Sequence, residues 1–405
     1  MEIEIKSVLL YPSLRILPLQ KIGAETPSWP ELLGSKHWSG LLDPLDHSLR
    51  VFLLQCGDMC EVTGDSFIGN DDSKYRGMCR YRPSTLLYQV FFPYAANYDV
   101  KEYLYAMSHD SKKQSKESNW MGYIAVSKDA YTKLTGRREI YVVWRGTGRP
   151  PEWIEDITVS LVPLDPDNQD VQVMQGWNDI YTLKDSDPQF PCNATSAREQ
   201  LLSKLSELVE LYKNESLSIV CVGYSLGGAL AILSSFDIVN KGLSKIEGKA
   251  EYFPVCAMVF ENPKVGNKAF NDRFEELPKL RALRVRNDGD IVPYWPFSFD
   301  YVDTGSVLDI AAKKSPCLKP LVNNHDLQVV LHAVAGWNGK DADFHLEVKR
   351  SPALVNKAGG YLKDELHIPK EWWVEKNKGM VLNKGGEWSE TPGWNCKSSS
   401  NGHQL

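Results

Sequence analysis

Ser225 stands in Gly223-Tyr224-Ser225-Leu226-Gly227, a hydroxyl-bearing residue with a glycine two positions away on either side. Before it lie Leu217, Ile219, Val220, Cys221 and Val222, a short apolar run rich in β-branched residues, as in strands buried inside parallel sheets. After it, Leu226, Leu230, Ile232, Leu233, Phe236 and Val239 recur at helical spacing until Lys241-Gly242, where glycine suits a helix C-terminus. A serine forced into a sharp strand-to-helix turn needs small neighbours, so that strand and helix can approach closely while its hydroxyl projects above the sheet. The chemistry of such a residue is nucleophilic attack on a carbonyl. The amide of Leu226, at the start of the helix, is then placed to stabilise the oxyanion that forms.

A serine hydroxyl needs a base, and the base needs a carboxylate to orient it. The strand read over residues 280–286 (LRALRVR) empties into Asn287-Asp288-Gly289-Asp290-Ile291-Val292-Pro293, which offers Asp288 and Asp290. Two histidines follow where a returning strand can present one. His325 sits in the turn-rich Asn323-Asn324-His325-Asp326, just ahead of a helix over 327–335, whereas His332 lies two turns down that helix. A histidine at the mouth of a sheet can reach the serine and one in mid-helix more often packs, so His325 is preferred and His332 is the alternative. A second oxyanion donor is offered by Thr147 in Arg145-Gly146-Thr147-Gly148, a glycine-flanked loop directly after the strand-like EIYVVW.

The elements that must position these groups alternate in type. Strands are expected over residues 120–127, 139–144, 255–260 and 280–286, and helices over 196–212 and 268–276, the first opened by a Ser196/Glu199 capping box. Such alternation predicts an α/β fold with a largely parallel sheet. The chain is read as a single domain over residues 1–405. Residues 1–118 form a helical N-terminal extension, 119–337 the catalytic α/β core, and 338–405 a tail packed on that core. Within the extension, residues 108–118 (SHDSKKQSKES) have the composition of a mobile loop or linker. Residues 152–161 (EWIEDITVSL) place Trp153, Ile154, Ile157 and Leu161 on one helical face, which suits either a helix packed on the core or a lid with an apolar underside.

Composition narrows the function. At 405 residues and 42% hydrophobic content the chain can bury a large core, and a net charge of −6 with mixed signs gives no reason to expect nucleic acid. No apolar run is long enough to span a membrane. Acidic residues and a proline in MEIEIKSVLLYPSLRILPLQK argue against a secretory or organelle leader, so a cytoplasmic location is expected. The eight scattered cysteines fit reduced thiols, Cys56-x-x-x-Cys60 has no matching His/Cys pair for a metal, and the sequons at Asn193 and Asn214 are taken as accidental. No metal or cofactor is needed for serine-based hydrolysis.

These residues also carry a resemblance. GYSLGGAL, Phe260-Glu261-Asn262-Pro263-Lys264-Val265-Gly266-Asn267 and Asn287-x-x-Asp290-x-Val292-Pro293 resemble the class 3 lipase superfamily, and within it the plant class II phospholipase A1 enzymes. The likeness extends over nearly the whole chain, from Gly40-Leu41-Leu42-Asp43-Pro44-Leu45-Asp46 through Ser73-Lys74-Tyr75-Arg76-Gly77 to Trp372-Trp373 and Asn377-Lys378-Gly379-Met380. It implies an α/β-hydrolase fold with a lid around residues 150–170. It makes Ser225 the nucleophile, Asp290 rather than Asp288 the acid, His325 the base and Thr147 the oxyanion-loop hydroxyl. The implied reaction is release of the sn-1 fatty acid from a phosphoglyceride, during transient contact with a membrane surface. Two departures stand out: Tyr224 replaces the family's usual histidine, and Gln55-Cys56-Gly57-Asp58 replaces a motif that usually starts on an aromatic residue. A carboxylesterase, a monoacylglycerol or galactolipid lipase, and a non-catalytic signalling protein on a lipase scaffold are the alternatives.

Overall fold

The computed structural model describes residues 26–390 apart from 71, 111–114, 148–156, 166, 189–190, 247, 374–379 and 384. Its centre is a seven-stranded sheet. β1 (Tyr98–Asp110) pairs antiparallel with β2 (Ser115–Ser127), and β2 antiparallel with β3 (Arg138–Trp144). A separate hairpin, β4 (Leu161–Asp165) and β5 (Asn168–Met174), follows. The sheet then continues from β3 in parallel through β6 (Leu217–Tyr224), β7 (Val255–Phe260), β8 (Leu280–Asn287) and β9 (Ser306–Ile310), in the order β1-β2-β3-β6-β7-β8-β9. Late in the chain β10 (Met380–Leu382) and β11 (Trp388–Glu390) form a second hairpin.

The central strands β6 and β7 are apolar at nearly every position because both faces are covered. Side chains of one strand alternate between two cores: Tyr141 and Val143 of β3 enter one, while Ile140, Val142 and Trp144 enter the other. Val220 and Val222 of β6 likewise oppose Ile219 and Cys221. The helices are α1 (Trp29–Leu32), α2 (His47–Ser66), α3 (Leu86–Gln89), α4 (Asp129–Thr135), α5 (Gln175–Thr182), α6 (Ala197–Leu211), α7 (Leu226–Asn240), α8 (Lys268–Glu276) and α9 (Leu327–Gly336). Leu49, Leu53 and Cys56 of α2 pack with Val330, Leu331 and Val334 of α9 on the first face, and α5 to α8 cover the second. Asp46 opens α2 by accepting from the Ser48 and Leu49 amides, and Ser196 with Glu199 opens α6 as a capping box. In α7 every residue from Leu226 to Val239 is buried, with its one charged group, Asp237, paired with Arg198 at 2.7 Å.

Three expectations change. Within the stretch read as a loop or linker, residues 108–110 and 115–118 are strand: the β1/β2 ladder continues out to Asp110 opposite Ser115, because backbone pairing needs no apolar side chain, and polar residues are what an edge strand tolerates. The stretch read as a helical extension is also more than that, since β1 starts at Tyr98 and α2 is one layer of the main core. The amphipathic segment over 152–161 falls mostly outside the described residues, but its last residue, Leu161, opens β4 and does not end a helix. Of the two sequons, Asn193 is fully buried, which closes it to a glycan in the folded protein.

Candidate active site

β6 ends at Tyr224 and α7 begins at Leu226, leaving Ser225 alone at the corner with φ 56° and ψ −127°. A non-glycine residue there is strained, and the surrounding contacts hold it. Each glycine of the turn is required by a neighbour's backbone or side chain. A Cβ on Gly223 would stand 2.0 Å from the Gly227 carbonyl oxygen, one on Gly227 2.4 Å from the Trp144 oxygen, and one on Gly228 2.6 Å from the Asn262 Cβ. The Ser225 N–H donates to the Phe260 carbonyl at 2.9 Å, which ties the corner to the end of β7.

The loop of Asp290 follows β8 and the loop of His325 precedes α9, and Asn287 joins them. Its side-chain amide donates to the Asn324 carbonyl at 3.0 Å, while its side-chain oxygen accepts from the Ala312 amide at 2.8 Å. Asp290 accepts from the Val292 N–H through Oδ1 at 3.0 Å and meets His325 Nδ1 through Oδ2 at 2.5 Å. His325 Nε2 lies 2.9 Å from Ser225 Oγ. Three groups from three loops, all at the carboxyl ends of parallel strands, thus form one hydrogen-bonded chain. Burial pushes the Asp290 carboxyl up, but the hydrogen bond and charge of His325 together with its other partners hold it below the usual carboxylate range.

The alternatives are placed elsewhere. Asp288 is exposed and paired with Lys313. His332 is buried in α9, bonds Ser315 Oγ at 2.7 Å through Nε2 and stacks near Phe344; burial pulls it down to about 4, so it is a neutral core histidine. Thr147 is half-buried in the loop after β3. That loop is pressed on the elbow, because the Gly227 approach to Trp144 and Arg145 leaves no room for a side chain. Arg145 fastens it from behind, donating to the Trp120 carbonyl at 2.9 Å and to the Gly146 carbonyl at 2.8 Å, with its guanidinium over the Phe67 ring. As the first residue of α7, Leu226 has an N–H with no partner inside the helix.

Tyr224, the unusual residue of the turn, faces the histidine. Its ring centroid lies 5.0 Å from that of His325, and its hydroxyl donates to the His325 backbone carbonyl. Phenylalanine at this position keeps the stacking and removes the hydrogen bond. Tyr224→Phe is expected to lower kcat about three- to tenfold with KM nearly unchanged, in steady-state assays on one ester substrate.

A family model described as class 3 lipase matches residues 141–299. Phospholipase A1-II 5 of Oryza sativa subsp. japonica is 48% identical over 396 residues, covering 92% of this chain and 84% of the rice protein. The chain belongs to the plant class II phospholipase A1 family. Phospholipase A1-IIdelta of Arabidopsis thaliana is 42% identical over 407 residues, covering 91% of this chain and 97% of that protein. Among solved structures, the Rhizomucor miehei triacylglyceride lipase is 17% identical with a TM-score of 0.45, over 66% of this chain and 81% of that one. The LIP2 lipase of Yarrowia lipolytica is 21% identical with a TM-score of 0.44, over 70% and 85%. As a member of the family the chain is a serine ester hydrolase on an α/β-hydrolase fold.

Two features of this phospholipase-family site escaped the sequence. Directly after Asp290, Ile291, Tyr294, Phe297 and Phe299 are exposed, the two phenylalanines at 73% and 103%. The aromatic run Tyr294-Trp295-Pro296-Phe297-Ser298-Phe299 was the available signal, hidden because Trp295 points inward against Trp177. The other is Glu261, which gave no local signal of a role.

Proposed function

We propose that this chain cleaves the sn-1 acyl ester of phosphoglycerides through an acyl-enzyme on Ser225, giving a free fatty acid and a lysophospholipid. The observation that carries this reading is the chain from Ser225 Oγ to His325 Nε2 at 2.9 Å and from His325 Nδ1 to Asp290 at 2.5 Å. His325 accepts the Ser225 proton as the hydroxyl attacks the ester carbonyl, and Asp290 fixes the tautomer that leaves Nε2 free to do so. The oxyanion is held by the Leu226 N–H and by Thr147. His325 returns the proton to the departing lysophospholipid oxygen. Water then enters and gives a proton to His325 as it attacks the acyl carbonyl; His325 passes that proton to the departing Ser225 oxygen, and the fatty acid leaves. The sn-1 preference and the phosphoglyceride substrate are supported by the kinship with proteins named phospholipase A1. A reducing, cytoplasmic setting belongs to the same proposal, supported by Cys56, Cys60, Cys221 and Cys256 standing buried as free thiols.

The deciding assay offers phosphatidylcholine, a galactolipid and triacylglycerol to the wild type and to Ser225→Ala. Ser225-dependent release of the sn-1 chain from phosphatidylcholine is expected. Release from none of the esters removes the enzyme reading of this site, and preference for a short water-soluble ester makes the protein a carboxylesterase.

Contact with the lipid surface is transient in this reading, and the exposed Ile291, Tyr294, Phe297 and Phe299 beside Asp290 support it. Phe297→Ser and Phe299→Ser are each expected to weaken sedimentation with phosphatidylcholine vesicles about tenfold, since each removes one aromatic ring from the interface. Turnover of a dissolved short-chain ester should stay at the wild-type rate. Unchanged vesicle binding places the contact elsewhere.

A further inference from the structure

The hydrolysis just described leaves one carboxyl group beside the site without a task. Glu261 follows β7, is fully buried, and holds φ 47°, in the left-handed region that favours glycine. Its N–H donates to the Val285 carbonyl at 3.0 Å, and its Oε1 accepts from the Asn287 N–H at 2.7 Å. Asn287 is the same residue whose side chain reaches the loop of His325. Glu261 Oε2 is buried, meets no hydrogen-bond donor among the described residues, and its carboxyl lies against that of Asp290. A strained backbone, an orphaned buried oxygen and a facing carboxylate therefore coincide at one residue.

Two ionised carboxylates in contact inside a protein repel each other, and neither can donate to the other. A cation placed between them would resolve this, but the one that bears on Glu261 is engaged elsewhere. Arg284 donates to Asn262 Oδ1 at 3.2 Å and to the Pro293 carbonyl at 3.4 Å, and pairs with Asp303 at 2.6 Å. Among the described residues, the titratable groups that also face the pair include His325, already bonded to Asp290, and the Tyr224 hydroxyl, which points to the His325 carbonyl. One proton on Glu261 removes both the repulsion and the orphaned oxygen.

We infer that Glu261 is a positioning residue of the reaction, a neutral carboxyl group whose Oε2–H donates to Asp290 and holds that carboxylate in the orientation from which it directs His325. The role rests on the Ser225 hydrolase reading above. Asp290 then receives the Val292 N–H, the His325 Nδ1–H and the Glu261 O–H, and stays ionised in a buried place because its lone pairs are occupied. In accord with this, burial first and Asp290 second push the Glu261 carboxyl well above its ordinary range. Glu261 does not touch the reacting atoms. It acts through Asp290.

The test compares Glu261→Gln and Glu261→Gly in the full chain, with kcat, KM and thermal midpoint measured on one ester and Ser225→Ala as the reference. Glutamine keeps an acceptor for the Asn287 N–H and presents a neutral donor to Asp290. Glycine removes both groups at a backbone angle that suits it. Glu261→Gly is expected to lower kcat about tenfold with KM within about twofold and the thermal midpoint within about 5 °C of the wild type. Glu261→Gln is expected to restore kcat to within about threefold of the wild type. A wild-type kcat in Glu261→Gly, or a Glu261→Gln enzyme impaired tenfold, overturns the role; the second outcome decides even if the glycine variant does not fold. If Ser225→Ala is as active as the wild type, the hydrolase reading itself has failed. If Ser225→Ala is inactive while Glu261→Gly is fully active, only the positioning role has failed.

Discussion

Asp290→Asn is expected to lower kcat about 10⁴-fold while the chain stays folded. The reason is a matter of which atom faces which. The amide is the same size as the carboxylate, and the Val292 N–H at 3.0 Å demands an acceptor, so the new carbonyl oxygen turns to Val292. The NH₂ group then faces His325 Nδ1, where the carboxylate stood at 2.5 Å. His325 must accept there, which moves its own proton to Nε2, the atom 2.9 Å from Ser225 Oγ. On the proposed mechanism, the base then presents a donor to the hydroxyl it should deprotonate. Asp288→Asn, two residues away, only loosens an exposed pair with Lys313 and should leave turnover within about twofold. Steady-state rates on dispersed phosphatidylcholine, with circular dichroism as the check on folding, separate the two.

Gly223→Ala should cost about 3–5 kcal/mol of stability and abolish turnover with it. A methyl group there would meet the Gly227 oxygen at 2.0 Å, the Gly227 carbon at 2.2 Å and the Gly228 nitrogen at 2.6 Å. All three are backbone atoms, so no side-chain rotation relieves the clash, and the start of α7 must shift. That shift carries Ser225 away from His325 and the Leu226 N–H away from the place of the proposed oxyanion. Gly136→Ala is the control: its φ is positive at 73°, yet a Cβ there meets nothing within 4 Å, and the expected cost is about 1 kcal/mol. Denaturant titrations followed by tryptophan fluorescence give both values.

The turn around Ser225 was legible in the sequence because its signals are local: a β-branched run, small residues at fixed offsets, then a change to helical period. His325 was legible for a related reason, since a turn-rich tetrapeptide ahead of a helix marks a loop at the sheet's mouth. Asp290 was not separable from Asp288 by local pattern. What distinguishes them is that one turns inward to His325 and the other outward to Lys313, which depends on residues far along the chain. The partnerships of Tyr224 with His325 and of Glu261 with Asp290 are likewise long-range. Composition misled at residues 108–110 and 115–118, because a ladder of backbone hydrogen bonds leaves no mark on side-chain polarity. For a similar reason α2 was read as an appendage: an amphipathic helix carries no label saying which sheet it covers.

If Ser225 is the nucleophile, a long-chain alkylphosphonate ester should modify it, since its reaction leaves a stable tetrahedral adduct on the attacking atom. The purified enzyme should be titrated with this reagent while residual hydrolysis of phosphatidylcholine is followed and the modified peptide is identified by mass spectrometry. The expected result is one phosphonyl group per chain, on Ser225, with activity lost in proportion to labelling. Full labelling of Ser225 with hydrolysis undiminished, or complete inactivation with the label on another residue, would contradict it.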